Sequence, residues 1–119
     1  MAPDALSLLR LHPATRGLSE EEIRVVSERA RVRTFAPGDV LIQPESIPEA
    51  VSLVIGGRFR MTSDLTSANR IANFGPGDQI GFLFLLHEEK ASVAVLADEP
   101  SMTLEIIGSD LLVLLREYP

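Results

Sequence analysis

The order of hydrophobic and polar residues divides the chain into a helical beginning and a longer strand-like part. Within 19–30, Ser19 is followed three residues later by Glu22, just before the first apolar residues. A serine and a glutamate at this spacing form a capping box, which is typical of a helix start. The pattern predicts a helix over about 19–30 and a shorter helix over about 4–11, which Pro13 ends.

Residues 31–107 consist of short apolar stretches separated by proline and glycine. Many short strands at close spacing favour a sandwich or barrel, so we expect a mainly β fold with flanking helices. The pair Gly56 and Gly57 predicts a tight strand reversal, because glycine tolerates a positive φ. Two turns that contain Pro-Gly-Asp, at 37–39 and 75–78, separate further strands.

The last segment predicts a helix over about 109–118, with Ser109 as its N-cap and Asp110 at the positive end of its dipole. Its apolar residues are consecutive, so they surround the helix instead of forming one stripe. Such a helix needs cover on more than one side, from sequence beyond Pro119 or from a partner. We therefore expect an interaction surface at Leu111, Leu112 and Leu115.

A chain of 119 residues with 45% hydrophobic residues has the size of one compact domain, which we expect to cover 1–119. It has no cysteine, which excludes disulfide and thiolate chemistry and favours a reducing, cytoplasmic setting. The longest apolar run, 80–86, is far shorter than the ~18 residues of a membrane-spanning helix. The composition thus predicts a cytoplasmic domain without membrane insertion.

The charges and candidate catalytic residues exclude several functions. A net charge of −6 argues against nucleic-acid binding, which requires clustered basic residues. Arg31 and Arg33 lie two apart in a predicted strand and share one face, which we interpret as solvated. His12 and His87, the two histidines, have no metal-binding spacing, and no catalytic triad or P-loop is present. We therefore expect neither an enzyme nor a metal site.

The order of features along 15–119 is distinctive. A capped helix is followed by FAPGDVLIQ, VIGGRF, FGPGDQIG, a short apolar helix, ASVAV and a final helix. This order resembles the cyclic nucleotide-binding domain family, which includes the domains of Crp and of protein kinase A regulatory subunits. The resemblance implies an eight-stranded β-roll of the jelly-roll or double-stranded β-helix type, flanked by helices. It also implies a regulatory role in ligand sensing and signal transduction.

The stretch 81–93, GFLFLLHEEKASV, resembles the phosphate-binding cassette of that family in its frame. In the family, a glutamate after the glycine binds the ribose 2′-hydroxyl, and an arginine neutralises the cyclic phosphate. Here Gly81 matches, whereas Phe82 stands at the glutamate position and Glu89 at the arginine position. Upstream, Pro44 stands where the family signature has glycine. If the cassette is functional, the resemblance implies a ligand site at Gly81, Phe82, Leu83, Glu89, Lys90, Ala91 and Ser92.

These replacements are large enough to affect binding. A micromolar ligand is bound by about 8 kcal/mol, and each lost charge-assisted contact removes about 1.5–3 kcal/mol. Repulsion between Glu89 and the phosphate adds to the loss, so cyclic AMP should bind no better than millimolar. Alternatively, a shift of one residue brings Lys90 to the phosphate, with Ser92 as a hydroxyl donor. We interpret Phe82 as core that fills the vacated pocket; the alternative is a site for an apolar or aromatic ligand.

The leading hypothesis is a regulatory domain of a larger protein that does not bind cyclic AMP or cyclic GMP in the usual way. Its partner would be an effector domain in the same polypeptide or a second protein. One alternative is a genuine cyclic nucleotide sensor with a non-standard pocket that uses Lys90 and Ser92. Another is a structural protein–protein interaction module, with a homodimer among its forms. No cofactor is predicted, apart from a cyclic nucleotide that the altered cassette disfavours.

Overall fold

The structure is a computed structural model, and it describes residues 4–82 and 89–109. Two helices precede the strands, as the sequence predicts. Helix α1 spans Ala5–Leu11, one turn of 3₁₀ helix spans Pro13–Thr15, and helix α2 spans Glu20–Glu28. Among the described residues, no helix has the length and apolar character that a membrane crossing requires.

The predicted capping box of α2 is present. The backbone N–H of Glu22 donates to Ser19 Oγ at 3.1 Å, and the N–H of Ser19 donates to Glu22 Oε1 at 2.9 Å. These two bonds satisfy N–H groups that have no partner within the helix. The helix ends slightly before the predicted boundary at 30, because Ala30 already belongs to the first strand.

Within the described residues, eight strands form two four-stranded antiparallel sheets. The strands are β1 (Ala30–Phe35), β2 (Val40–Ile42), β3 (Ala50–Gly56), β4 (Phe59–Thr62), β5 (Arg70–Phe74), β6 (Gln79–Ile80), β7 (Ala94–Ala97) and β8 (Ser101–Ile107). The first sheet has the order β1-β8-β3-β6, and the second has the order β2-β7-β4-β5. The predicted mainly β fold, a β-roll with flanking helices, is confirmed.

A turn at Gly56 and Gly57 joins β3 to β4, where the sequence predicts a tight strand reversal. Strand β3 belongs to the first sheet and β4 to the second, so the turn connects the two sheets. Gly57 has φ +86, and a Cβ atom there would lie 2.0 Å from Ser101 Oγ. This close approach leaves no room for a side chain, which explains the glycine.

The two Pro-Gly-Asp turns repeat one hydrogen-bond pattern on opposite sheets. In each, the glycine N–H donates to the carbonyl oxygen of a strand residue, whose own N–H donates to the aspartate carbonyl oxygen. The strand residue is Ala97 for the first turn and Val54 for the second. Both glycines, Gly38 at φ +89 and Gly77 at φ +96, have the left-handed backbone that turns require. The second turn thereby positions β6, which leads directly into the cassette.

Two hydrophobic clusters lie on opposite faces of the first sheet. The interior cluster fills the space between the sheets and contains Phe35, Ile42, Val54, Phe59, Ile80, Ala91, Val95 and Ala97. The helix-side cluster joins the first sheet to α1 and α2 and contains Leu9, Ile23, Val51, Leu53, Leu104 and Ile106. Side chains alternate between the two faces of a strand. Strand β3 therefore contributes Val54 to the interior cluster and Val51 and Leu53 to the helix-side cluster.

Candidate ligand-binding cassette

The cassette begins immediately after β6 and leads into β7. Gly81 has φ +102, and a Cβ atom there would lie 3.1 Å from the carbonyl oxygen of Ala50. Both the backbone conformation and the close approach favour glycine, in agreement with the glycine that begins the family cassette. Leu83, the third predicted site residue, lies outside the described residues, as does the central part of the cassette.

Phe82 packs on the helix side of the first sheet. It is half-buried and contacts the helix-side cluster. It also lines an open apolar groove of about 330 Å³, together with Leu9, Leu18, Val26 and other residues of that face. We expected Phe82 to fill the pocket that the family uses for its ligand. The structure places it in a core, but in the helix-side cluster rather than between the sheets.

The second half of the cassette presents one side chain to the interior and three to solvent. Glu89, Lys90 and Ser92 are exposed, whereas Ala91 is fully buried in the interior cluster. The Ala91 N–H donates to the carbonyl oxygen of Ser46 at 2.7 Å, and its own carbonyl oxygen accepts from the Glu45 N–H at 2.7 Å. This pair of bonds fixes the segment against the loop between β2 and β3. The buried side chain of this segment is therefore the uncharged methyl group of Ala91.

The loop between β2 and β3 contains a backbone conformation that favours glycine. Glu45 has φ +68, and it is the one non-glycine residue with a positive φ in the described part of the chain. We expected the family's glycine position at Pro44. The conformation that a glycine adopts readily occurs one residue later, at Glu45. The match of Pro44 to the family's glycine position stays a prediction. Proline fixes φ near −65° and cannot adopt this conformation.

A cluster of three charged side chains lies outside the cassette, and no local sequence pattern indicates it. The Asp98 carboxylate accepts hydrogen bonds from Arg60 Nη1 at 2.7 Å and from Arg70 Nη1. The hydrogen bond from Arg70 holds the pKa of Asp98 below its usual range; Arg60 has the same effect, and partial burial opposes both. The three residues join β4, β5 and the end of β7. They come from separate strands, so only the sheet register brings them together.

Of the remaining candidate residues, the structure describes His12 and does not describe the terminal helix. His12 is buried at the end of α1, with Nε2 3.3 Å from the carbonyl oxygen of Asp78 in the second Pro-Gly-Asp turn. No group of three metal-ligating side chains occurs among residues 4–82 and 89–109. The predicted terminal helix, with its interaction surface at Leu111, Leu112 and Leu115, lies outside the described residues.

Comparison with known families now bears on the fold and the cassette together. A profile described as "Cyclic nucleotide-binding domain" matches residues 32–118, which is most of the chain. The chain belongs to the cyclic nucleotide-binding domain family. The predicted family membership is thus confirmed, and the matched region contains the β-roll and the whole cassette.

One relative of this cyclic nucleotide-binding domain is the cyclic AMP receptor protein of Thermus thermophilus. It is 28% identical over 109 residues, which cover 90% of this chain and 50% of the relative. The crystal structure titled catabolite activator protein from Thermus thermophilus has a TM-score of 0.77 at 28% identity, over 90% of this chain and 51% of that one. The domain therefore spans about half the length of the curated relative that it matches.

Two kinase regulatory subunits share the fold at lower identity. The regulatory domain of Toxoplasma gondii protein kinase A, crystallised with cyclic AMP, has a TM-score of 0.82 at 18% identity, over 93% of this chain and 44% of that one. The regulatory subunit of a cyclic AMP-independent protein kinase A from Trypanosoma brucei has a TM-score of 0.79 at 19% identity, over 94% and 43%. The same roll thus occurs in proteins that differ in their relation to cyclic AMP. Whether this domain binds cyclic AMP therefore depends on the residues of its cassette and cannot be inferred from the fold.

Proposed function

We propose that the protein is a regulatory domain of a larger polypeptide whose cassette does not recognise cyclic AMP or cyclic GMP in the usual way. One observation carries this proposal. None of the cassette residues within 81–82 and 89–92 brings a charged side chain into the roll. Phe82 packs on the helix side, Glu89 and Lys90 are exposed, and the inward residue is Ala91.

The energetic consequence is a loss of the contacts that hold a cyclic phosphate and a ribose. A charge-assisted hydrogen bond contributes about 1.5–3 kcal/mol, and micromolar binding corresponds to about 8 kcal/mol. The removal of two such contacts leaves about 2–5 kcal/mol, which corresponds to a Kd of about 0.2 mM or weaker. Backbone N–H groups alone would not restore the difference, since they provide neither the guanidinium nor the carboxylate.

The output of such a domain would be a change in an attached or associated effector. The relatives are regulatory proteins about twice as long as this chain, which supports an effector elsewhere in the polypeptide or in a partner. The catalytic role, if the larger protein has one, would then belong to the effector. The groove at Phe82 connects the first described half of the cassette to α1 and α2, and this contact would transmit a change at the cassette to the helices.

The direct test is isothermal titration calorimetry of the domain with cyclic AMP and with cyclic GMP. We expect no saturable binding below about 0.1 mM, because the described cassette residues, 81–82 and 89–93, provide neither a buried cation nor a buried carboxylate. Micromolar binding of either nucleotide would refute the proposal. In that event, Lys90→Ala separates the alternatives: loss of binding assigns the phosphate to Lys90, and unchanged binding assigns it to backbone groups.

A further inference from the structure

A second cavity lies between the sheets at the start of β1, separate from the exposed charges of the cassette. It measures about 290 Å³, close to the lower limit of small-molecule sites. Its first wall is the interior face of the first sheet, where Arg31, Glu105 and Ser52 are direct neighbours on three adjacent strands. The opposite wall is β2 with the loop 43–49. Ser52 and Glu105 are both more than nine-tenths buried.

The polar groups of this cavity are only partly satisfied. Arg33 Nη1 donates to Glu105 Oε1 at 3.1 Å, and the guanidinium of Arg33 also lies 4.5 Å from the centre of the Phe35 ring. Glu105 Oε2 and the Ser52 hydroxyl form no hydrogen bond with any described residue. Nor do the side chains of Arg31 and Glu49 form an ion pair within the described ranges. The exposed charges of Arg31 and Glu49 and one side-chain oxygen each of the buried residues Ser52 and Glu105 therefore face this space without a partner among the described residues.

The balance of charge indicates the kind of ligand. Two arginines and two glutamates line the cavity, so their formal charges cancel. Since Glu105 already pairs with Arg33, a simple anion would leave the Glu49 carboxylate unpaired, and a simple cation would leave Arg31 unpaired. A small zwitterion satisfies both, with its carboxylate on Arg31 and its ammonium on Glu105 Oε2 and Glu49. The rest of the lining is mixed, with the polar side chains of Gln43 and Ser46 beside aliphatic ones. The large aliphatic side chains are those of Leu41, Ile42, Ile47, Ile80 and Ile107.

We propose that this cavity binds a free α-amino acid with an aliphatic side chain, at a site distinct from the cassette. The proposal does not depend on the proposed function, since the cassette could bind a nucleotide or fail to do so with this cavity unchanged. The two sites do share a wall. Ile80 lines the cavity and precedes Gly81, and Ser46 lines it and accepts the Ala91 N–H. An amino acid bound here would therefore contact the residue that precedes the cassette and the loop residue that binds its second half.

The test is calorimetry and thermal unfolding with leucine, isoleucine, valine and methionine at millimolar concentration. We expect saturable binding of at least one, with a rise in melting temperature. The matched probes are 4-methylpentanoate, which lacks the ammonium, and 3-methylbutylamine, which lacks the carboxylate. Each should bind about tenfold to hundredfold more weakly than leucine, because it loses a charge-assisted contact. The proposal would be overturned if either probe bound as tightly as leucine, or if none of the four amino acids bound.

The variants Arg31→Gln and Arg24→Gln distinguish this cavity from non-specific association. Both arginines are exposed and the charge change is the same, but Arg24 lies on α2, away from the cavity. Arg31→Gln should abolish amino-acid binding without changing the melting temperature of the free protein, whereas Arg24→Gln should bind normally. Glu49→Gln should weaken binding by about tenfold. Normal binding by Arg31→Gln contradicts the assignment, whatever the cassette does with cyclic AMP.

Discussion

The interior cluster and the helix-side cluster use opposite faces of one sheet, and they differ in how completely they are closed. Between the sheets, Phe35 and Phe59 pack edge to face, with ring centres 5.2 Å apart and an interplanar angle of 86°. Phe59 is fully buried there. On the helix side, by contrast, an apolar groove of about 330 Å³ remains open beside Phe82. The interior cluster is thus tightly packed around Phe59, and the cavity between the sheets lies at its edge near the start of β1. On the helix side, members of the cluster themselves line the open groove.

This difference separates the two described parts of the cassette. Phe82 belongs to the helix-side cluster, and Ala91 belongs to the interior cluster. A change at Ala91 would act on the packing that holds the two sheets together. A change at Phe82 would act on the attachment of α1 and α2, at a smaller cost in stability. The helix side is therefore the place where we expect a regulatory signal to leave the roll.

The largest effect is expected when the interior cluster is disrupted. Phe59→Ala should lower the free energy of unfolding by about 3–5 kcal/mol, because it removes a fully buried ring and leaves a cavity between the sheets. Urea denaturation followed by circular dichroism measures the loss. The control is Ile71→Ala in the same sheet, whose side chain is 59% exposed and should cost less than about 1 kcal/mol. Similar losses in both variants would show that the interior is not the main core.

A smaller loss, of a different kind, is expected on the helix side. Leu9 is fully buried and attaches α1 to the first sheet, so Leu9→Ala should cost about 2–4 kcal/mol. Hydrogen exchange should show faster exchange in α1 and α2, whereas the amides of β4 and β7 remain protected. Leu11→Ala is the control, since that side chain is 84% exposed. Equal deprotection of β4 would mean that the two clusters unfold as one unit.

The sequence predicted the elements of this arrangement better than their pairing. The capping box at Ser19 and Glu22 and the two Pro-Gly-Asp turns depend on residues close together in the chain, so local pattern was sufficient. The pair Gly56 and Gly57 predicts a tight strand reversal, but its sequence cannot show that the flanking strands belong to different sheets. The close approach of Gly57 to Ser101, which excludes a side chain at position 57, joins residues more than forty positions apart in the sequence.

The candidate site was predictable in its frame and less so in its orientation. The resemblance predicts the cassette glycine at 81, and Gly81 has a positive φ, a conformation that glycine adopts readily. The direction in which Phe82 points depends on the helices packed beside it, which no local pattern encodes. The mixed cavity at Arg31 and Glu105 was missed for the same reason. The two arginines were interpreted as a solvated face, because the buried glutamate opposite them is over seventy residues away in sequence.

The next prediction concerns Phe82 itself. Phe82→Ala should lower the free energy of unfolding by about 1–2 kcal/mol, less than a full core truncation, because the ring is half-buried. The exchange pattern should match that of Leu9→Ala, with α1 affected and β4 unaffected. Urea denaturation and hydrogen exchange of the same samples give both quantities. Deprotection of β4 and β7 instead of α1 would place Phe82 with the interior cluster and contradict the comparison.

The smallest expected effect concerns the ion pairs that border the two clusters. Asp98 follows the last residue of β7 and binds Arg60 and Arg70, beside the interior cluster, with 19% of its side chain exposed. On the helix side, Arg10 and Glu20 form a pair at 3.0 Å whose side chains are 45% and 66% exposed. Exposed pairs contribute about 0.2–1 kcal/mol, and the better shielded network should lie near the upper end.

The pKa of Asp98 gives this difference a pH dependence with a definite sign. The folded-state pKa of Asp98 lies below its ordinary value, chiefly because of the hydrogen bond from Arg70. Its contribution is therefore complete above the unfolded-state pKa of about 3.9 and is lost as the pH falls through the lower folded-state value. Asp98→Asn should melt below the wild type at pH 7, and the gap should close in strong acid. As the control, Glu20→Gln should lower the melting temperature at pH 7 by less than Asp98→Asn does. If the difference between Asp98→Asn and the wild type widened in acid, the assigned network would be contradicted.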